Sequence, residues 1–144
     1  MMSALDEAVQ VQKAVAHPAR LRVLLMLRDG PLCGCQISAI TKLAASTVSA
    51  HLSVLRGAGL VSERKDGRWV EYSLDQSAET SALLDTIADG VRDDPRIRAD
   101  AVIGRALRSV SLDQLCRVNL DLEKVGVPCV TAALKETAKI LARG

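Results

Sequence analysis

The chain contains no phenylalanine, and one tryptophan and one tyrosine are its only aromatic residues among 144. Its core must therefore be built from Leu, Val, Ala and Ile, which favours packed helices over an aromatic-rich β-sandwich. No stretch approaches the roughly 18 consecutive apolar residues of a membrane helix, and the first ten residues carry Asp6 and Glu7 instead of a basic signal-peptide head. We therefore expect a cytoplasmic protein with no membrane partner.

A strong net charge is also lacking. The formal charge of +2 does not by itself indicate a nucleic-acid partner. The length fits one domain, or one small domain with an appendage. In a reducing cytosol, the four cysteines are expected to be thiols, ligands or sensors and not a disulfide framework.

Apolar periodicity predicts four helices in the first part of the chain. A residue before proline avoids the α region, so His17-Pro18 ends one helix and Pro18 begins the next. Val48, Leu52 and Leu55 recur at helical spacing and form the buried stripe of the fourth helix. The predicted helices cover 5–16, 18–28, 35–43 and 46–56.

A β-hairpin is predicted next, because two short strand-like segments flank Asp66-Gly67, a pair favoured in tight turns. The rest of the chain has helical periodicity. The predicted strands cover 60–65 and 68–74, and the predicted helices that follow them cover 76–92, 97–110, 112–125 and 129–142.

Two short helices followed by a hairpin form a winged helix-turn-helix, whose second helix enters the major groove of DNA. The sequence therefore predicts a mainly α fold with a small β-hairpin. We expect a DNA-binding and dimerisation domain over 1–92 and a C-terminal helical extension over 93–144. Small hydroxyl side chains opposite the buried stripe, including Ser46, Ser49 and Ser53, would let the backbone approach DNA closely. Arg64, Lys65 and Arg68 of the wing are suited to phosphates.

Four blocks in order resemble the ArsR family of arsenic- and metal-responsive repressors: AHPARLR at 16–22, LCGC at 32–35, STVSAHLSVLRGAGLV at 46–61 and GRWVEY at 67–72. The resemblance implies a homodimer formed by the first helix and the helix after the wing. It also implies binding to an imperfect inverted repeat of double-stranded DNA, with dissociation when an ion binds.

The same resemblance places Ser46, Thr47, Ser49 and His51 on the recognition helix. His51 flanks the apolar stripe, so a packed or locally hydrogen-bonded histidine is an alternative to a DNA contact. Ala44 and Ala45 depart from the family pattern, which usually has a polar cap followed by Gln or Glu. The role of the first helical turn is therefore left open.

Cys33 and Cys35 match the Cys-x-Cys site of the arsenic-responsive branch. Residues i and i+2 of a regular helix point about 200° apart, so both sulfurs can hold one ion only where the turn is not helical. Pro31 and Gly34 permit such a turn. Soft thiolates select soft ions, so the expected inducer is arsenite, antimonite or a soft divalent metal such as cadmium, lead or mercury, with no organic cofactor.

The resemblance implies three thiolates around trivalent arsenic, and the third is expected from Cys116 or Cys129. Either requires the extension to fold back, within one protomer or across the dimer. Each could instead be a buried cysteine that acts as a small hydrophobe. We expect Cys33 and Cys35 to be less buried, because the polar start of a helix is a poor place to hide two thiols.

A redox- or persulfide-sensing repressor of the same fold is the alternative function. The i, i+2 spacing argues against it, because a disulfide would close a small strained ring. An enzyme is not expected. A thiol oxidoreductase would need Cys-x-x-Cys at the start of a helix that follows a strand, and no Ser-His-Asp or paired-carboxylate arrangement stands out.

Overall fold

The computed structural model describes all 144 residues and is mainly helical. The α-helices are Ala4–Val15 (α1), Pro18–Leu27 (α2), Gly34–Thr41 (α3), Ala45–Gly57 (α4), Ala78–Val91 (α5), Pro95–Leu107 (α6), Leu112–Arg117 (α7) and Pro128–Arg143 (α8). The strands are Leu32–Cys33 (β1), Val61–Asp66 (β2) and Trp69–Leu74 (β3), and a short 3-10 helix spans Leu122–Lys124.

The helix-turn-helix consists of α3 and α4, and the wing follows it as β2 and β3. Gly59, in the left-handed region at φ 76°, ends α4. Its N–H donates to the Arg56 carbonyl, and the Leu60 N–H donates to Leu55 at 3.0 Å. This pair of bonds is a Schellman motif, in which glycine avoids the steric cost of a left-handed residue. The winged helix-turn-helix predicted from the sequence is thus confirmed.

The sheet contains a strand that the sequence analysis missed. Its order is β1-β3-β2, with antiparallel pairs throughout. β1 was missed because two residues are too short to show an alternating pattern. In the wing, Asp66 pairs with Trp69, so Gly67 and Arg68 form the two-residue turn. Arg68 therefore lies in the turn and not in the strand predicted over 68–74.

One helix prediction was wrong. The segment 112–125 is not one helix, because α7 ends at Arg117 and the chain reverses through left-handed Asn119 and Leu120. Here the Leu120 N–H donates to the Leu115 carbonyl, and the Asn119 N–H donates to Cys116. This is a second Schellman motif, with asparagine in the place usually taken by glycine. The absence of glycine hid the helix end in the sequence.

A single apolar core joins the helix-turn-helix to the extension. Its residues are aliphatic, with Met26, and neither Trp69 nor Tyr72 is fully buried. Members from both parts are fully buried, among them Leu24, Ile37, Leu55, Leu107, Leu115 and Val130. The extension is also tied by charge: Arg22 of α2 donates to both carboxylate oxygens of buried Asp100 in α6, each at 2.8 Å. No helix has the length and apolar composition needed to cross a bilayer.

Candidate DNA-binding surface and thiol site

The apolar and polar faces of α4 lie as its sequence pattern predicts. Val48, Leu52 and Leu55 are buried against the core, while Ser46, Thr47 and Ser49 are exposed. Ala44 at the N-cap supplies no side-chain hydrogen bond. The first N–H groups of α4 are therefore left for water or another acceptor.

His51 is half-buried at the junction of α4 with α1 and α2. Its ring centroid lies 4.5 Å from that of His17, and Arg20 Nη1 lies 3.5 Å from its Nδ1 atom. His17 itself begins α2, because its Nδ1 accepts from the Ala19 N–H at 3.1 Å. Burial, followed by the charges of His17 and Arg20, lowers the pKa of His51. These contacts match the packed alternative for His51.

The three basic residues of the wing have different partners. Arg64 on β2 donates to Glu71, its cross-strand neighbour on β3, at 3.0 Å. Lys65 is exposed and forms no ion pair. Arg68 pairs with Asp113 at the start of α7, and its guanidinium lies 4.7 Å from the Trp69 ring centroid. Asp113 was not anticipated, because no local pattern relates residues 45 positions apart.

Cys33 lies on β1, opposite Glu71 of the wing, and only 7% of its surface is exposed. The expectation that the polar start of a helix would not hide the thiols was therefore wrong for Cys33. Cys33 is buried because β1 pairs with β3 at this residue. Cys33 precedes α3 with an extended backbone, φ −78° and ψ 156°. The turn is thus not helical at Cys33, as two sulfurs on one ion require.

Cys35 is the second residue of α3 and is half-buried. Burial, followed by the neighbouring groups of Cys33 and Cys116, raises its pKa to about 11. The pKa of Cys33 is also raised, by burial and then by Glu71 and Asp66. Cys116, 81 positions away in sequence, lies on α7, and α7 packs against α3.

Cys129 lies elsewhere, at the start of α8. Its Sγ is 3.4 Å from Ser109 Oγ, beyond the end of α6, and it is exposed like Cys116. The fold thus packs the helix that carries Cys116 against the helix that carries Cys35, whereas Cys129 contacts the end of α6. No group of three or more His, Cys, Asp or Glu side chains is arranged to hold a metal ion as it stands. Ion binding by the thiols would require local movement.

Gln36 is a further residue of the thiol site that the sequence analysis missed. Its Oε1 accepts from the Cys33 N–H at 2.8 Å, and its Nε2 donates to the Leu107 carbonyl of α6 at 3.5 Å. It therefore connects the backbone of the thiol site to the extension. A glutamine three residues after the N-cap is the capping-box spacing, and that signal could have identified it.

Comparisons with known proteins support the winged helix-turn-helix. The family model for bacterial regulatory proteins of the arsR family matches residues 17–63. A chain from Methanocaldococcus jannaschii, named "Uncharacterized HTH-type transcriptional regulator MJ1325", is 35% identical over 89 residues, which are 60% of this chain and 100% of that one. The Arsenic resistance transcriptional regulator ArsR1 of Pseudomonas putida is 37% identical over 84 residues, 58% of this chain and 64% of that protein.

A solved structure has the same fold. It is the homodimeric winged helix-turn-helix DNA-binding domain Mb0332 of Mycobacterium bovis, described as a possible ArsR-family transcriptional regulator. The TM-score is 0.56 at 26% identity, covering 65% of this chain and 91% of that one. All three relatives are named as known or possible transcriptional regulators. With the family match and the winged helix-turn-helix, they show that this chain belongs to the arsR family of bacterial transcriptional regulators.

Proposed function

We propose that this protein is a homodimeric repressor that releases operator DNA when a thiol-seeking ion binds Cys33, Cys35 and Cys116. The expected ions are trivalent arsenic or antimony, or a soft divalent metal. The observation that carries the proposal is the packing of α7, which carries Cys116, against α3, which carries Cys35. A relative named for arsenic resistance adds support.

Binding to DNA is assigned to α4 and the wing. Exposed Ser46, Thr47 and Ser49 face away from the core, where a recognition helix reads base edges. Arg64, Lys65 and Arg68 then neutralise phosphates beside the groove. His51 is proposed to act indirectly, by holding α4 against α1 and α2.

A dimer supplies two such surfaces for the halves of an inverted repeat. The outer face of α1 supports this assignment: 73% of Leu5 is exposed, and Val9 is exposed as well. A helix that leaves large aliphatic side chains in water has an apolar face available for a second copy. The related domain from M. bovis is a homodimer.

The coupling between ion and DNA follows from the position of the thiols. Cys35 is on the first helix of the helix-turn-helix, and Cys33 is on a strand paired with the wing. Three thiolates on one small ion must converge on it, and as they stand they do not form a finished site. Drawing them together would shift α3 and β1 relative to α7. Both DNA-binding elements are attached to these parts, because α4 follows α3 and the wing strand β3 pairs with β1.

The test is DNA release from the reduced protein by arsenite, antimonite and cadmium, followed by fluorescence anisotropy of labelled operator. Ion binding should weaken DNA affinity by about 5- to 150-fold, the usual range of allosteric coupling. Cys33→Ser, Cys35→Ser and Cys116→Ser should still bind operator but respond only at much higher ion concentration. Cys129→Ser is the matched control and should respond like the unaltered protein.

Three results would contradict the proposal. Normal release from Cys33→Ser and Cys35→Ser would place the sensing site elsewhere. Release by hydrogen peroxide, with no response to any of the ions, would favour the redox-sensing alternative. If Cys129→Ser lost ion-induced DNA release while Cys116→Ser kept it, the third ligand would be Cys129 and not Cys116.

A further inference from the structure

The pair between Arg68 and Asp113 joins the tip of the wing to the extension. Both side chains are largely exposed, Arg68 at 68% and Asp113 at 59%, and they meet although 45 positions separate them. Arg68 is the only one of the three basic wing residues whose ionic partner lies outside the wing. A guanidinium paired with a carboxylate is not free to bind a phosphate, since both acceptors compete for the same N–H donors.

α7 connects this pair to the thiols. Asp113 and Cys116 are three positions apart on α7, and residues at this spacing are neighbours on one side of a helix. Leu115 is buried in the core and anchors the helix between them. α7 also packs against α3, which carries Cys35. One short helix thus presents a ligand to the thiol site and an acid to the wing.

We propose that Asp113 is a positioning residue that withholds Arg68 from DNA phosphates, and that an ion on Cys116 strengthens this hold by fixing α7 against α3. The second half of this inference rests on the proposed function, and the first half does not. Without the ion, the pair is exposed and weak, so DNA can displace it. With the ion bound, α7 can no longer move away, and Arg68 keeps its carboxylate partner.

The experiment compares Asp113→Asn with Glu136→Gln. Glu136 is an exposed acid of α8 without an ion pair, so its variant makes the same change in net charge away from the wing. Operator affinity is measured across a salt series, with and without arsenite. Arsenite binding without DNA is measured separately, by the ultraviolet absorption of the arsenic–thiolate bond.

Without arsenite, Asp113→Asn should bind operator about 2- to 5-fold more tightly than Glu136→Gln. The slope of its log operator affinity against log salt concentration should be steeper by the amount expected for about one additional phosphate contact per wing. Asp113→Asn should bind arsenite as tightly as the unaltered protein. The decrease in its operator affinity on arsenite binding should be smaller than that of the unaltered protein, by a factor of at least about 3. When Arg68 is already replaced by Gln, Asp113→Asn should change neither the operator affinity without arsenite nor the decrease in that affinity on arsenite binding.

Equal affinities and salt slopes for Asp113→Asn and Glu136→Gln would overturn the first half. Normal arsenite binding with an undiminished loss of DNA affinity would overturn the second. Failure of the proposed function is distinguishable by the arsenite-binding measurement, because the unaltered protein would then bind no arsenite, or would bind it no more tightly than Cys116→Ser. The comparison without arsenite would still decide whether Asp113 withholds Arg68.

Discussion

His51 lies with its ring tilted against that of His17, and Arg20 reaches its Nδ1 atom. Burial and these two neighbours lower its pKa, so the folded protein favours the neutral ring. The unfolded chain protonates the same ring near its ordinary pKa of 6.5. Between the two values the unfolded state binds more protons, and the free energy of unfolding therefore falls as the pH falls below about 6.5.

His51→Gln should remove part of this pH dependence. We expect the free energy of unfolding of the unaltered protein to fall between pH 7.5 and pH 5.5, and the fall to be smaller in the variant. Urea unfolding at both pH values measures the free energy of unfolding of each protein. An equal fall in both proteins would mean that His51 is not held neutral by its neighbours.

At the scale of elements, α6 carries the attachment of the extension. Asp100 is buried and receives two hydrogen bonds from Arg22 of α2. Removing one partner of a buried pair leaves an uncompensated charge, which typically costs about 3 to 5 kcal/mol. Because Arg22 is partly exposed, we expect the lower end of that range.

Asp100→Ala should therefore lower the free energy of unfolding by about 3 kcal/mol. It should also make the extension more sensitive to limited proteolysis. Asp93→Ala removes a carboxylate from the exposed turn before α6 and serves as the control. If the two variants were equally stable and equally resistant, the pair would not hold α6 in place.

The elements also show what could be predicted from sequence. The buried stripe of α4 and the turn signal of the wing are local patterns, and both gave the right element. The end of α7 has no such signal, because Asn119 and Leu120 take a left-handed conformation fixed by bonds back to Cys116 and Leu115. β1 exists only through its pairing with β3. The sequence analysis thus misplaced a helix end that has no glycine to mark it, and missed a strand that depends on a distant partner.

At the scale of the whole molecule, the candidate thiol site is assembled from distant parts of the chain. The Cys-x-Cys pair was visible in the sequence, whereas the choice between Cys116 and Cys129 was not. The proposal of Cys116 rests on the packing of α7 against α3, after which the chain reverses and places Cys129 at the start of α8. The burial of Cys33 depends likewise on a strand pair formed across 38 positions.

The apolar outer face of α1 gives a prediction about assembly. Leu5→Ser should raise the dimer dissociation constant by about 10-fold or more, because a buried leucine side chain contributes about 1.5 to 3 kcal/mol. Leu141→Ser is the matched control, since Leu141 is also exposed but lies near the end of α8. Sedimentation equilibrium measures both. Equal dissociation constants would exclude the Leu5 face from the dimer interface.

Three thiolates from two parts of the chain are proposed to hold the ion. X-ray absorption at the arsenic edge counts the sulfur ligands of arsenite bound to the reduced protein. We predict three sulfur ligands in the unaltered protein and in Cys129→Ser, and two in Cys116→Ser. Three sulfurs in Cys116→Ser, or oxygen and nitrogen ligands in place of sulfur in the unaltered protein, would contradict the account.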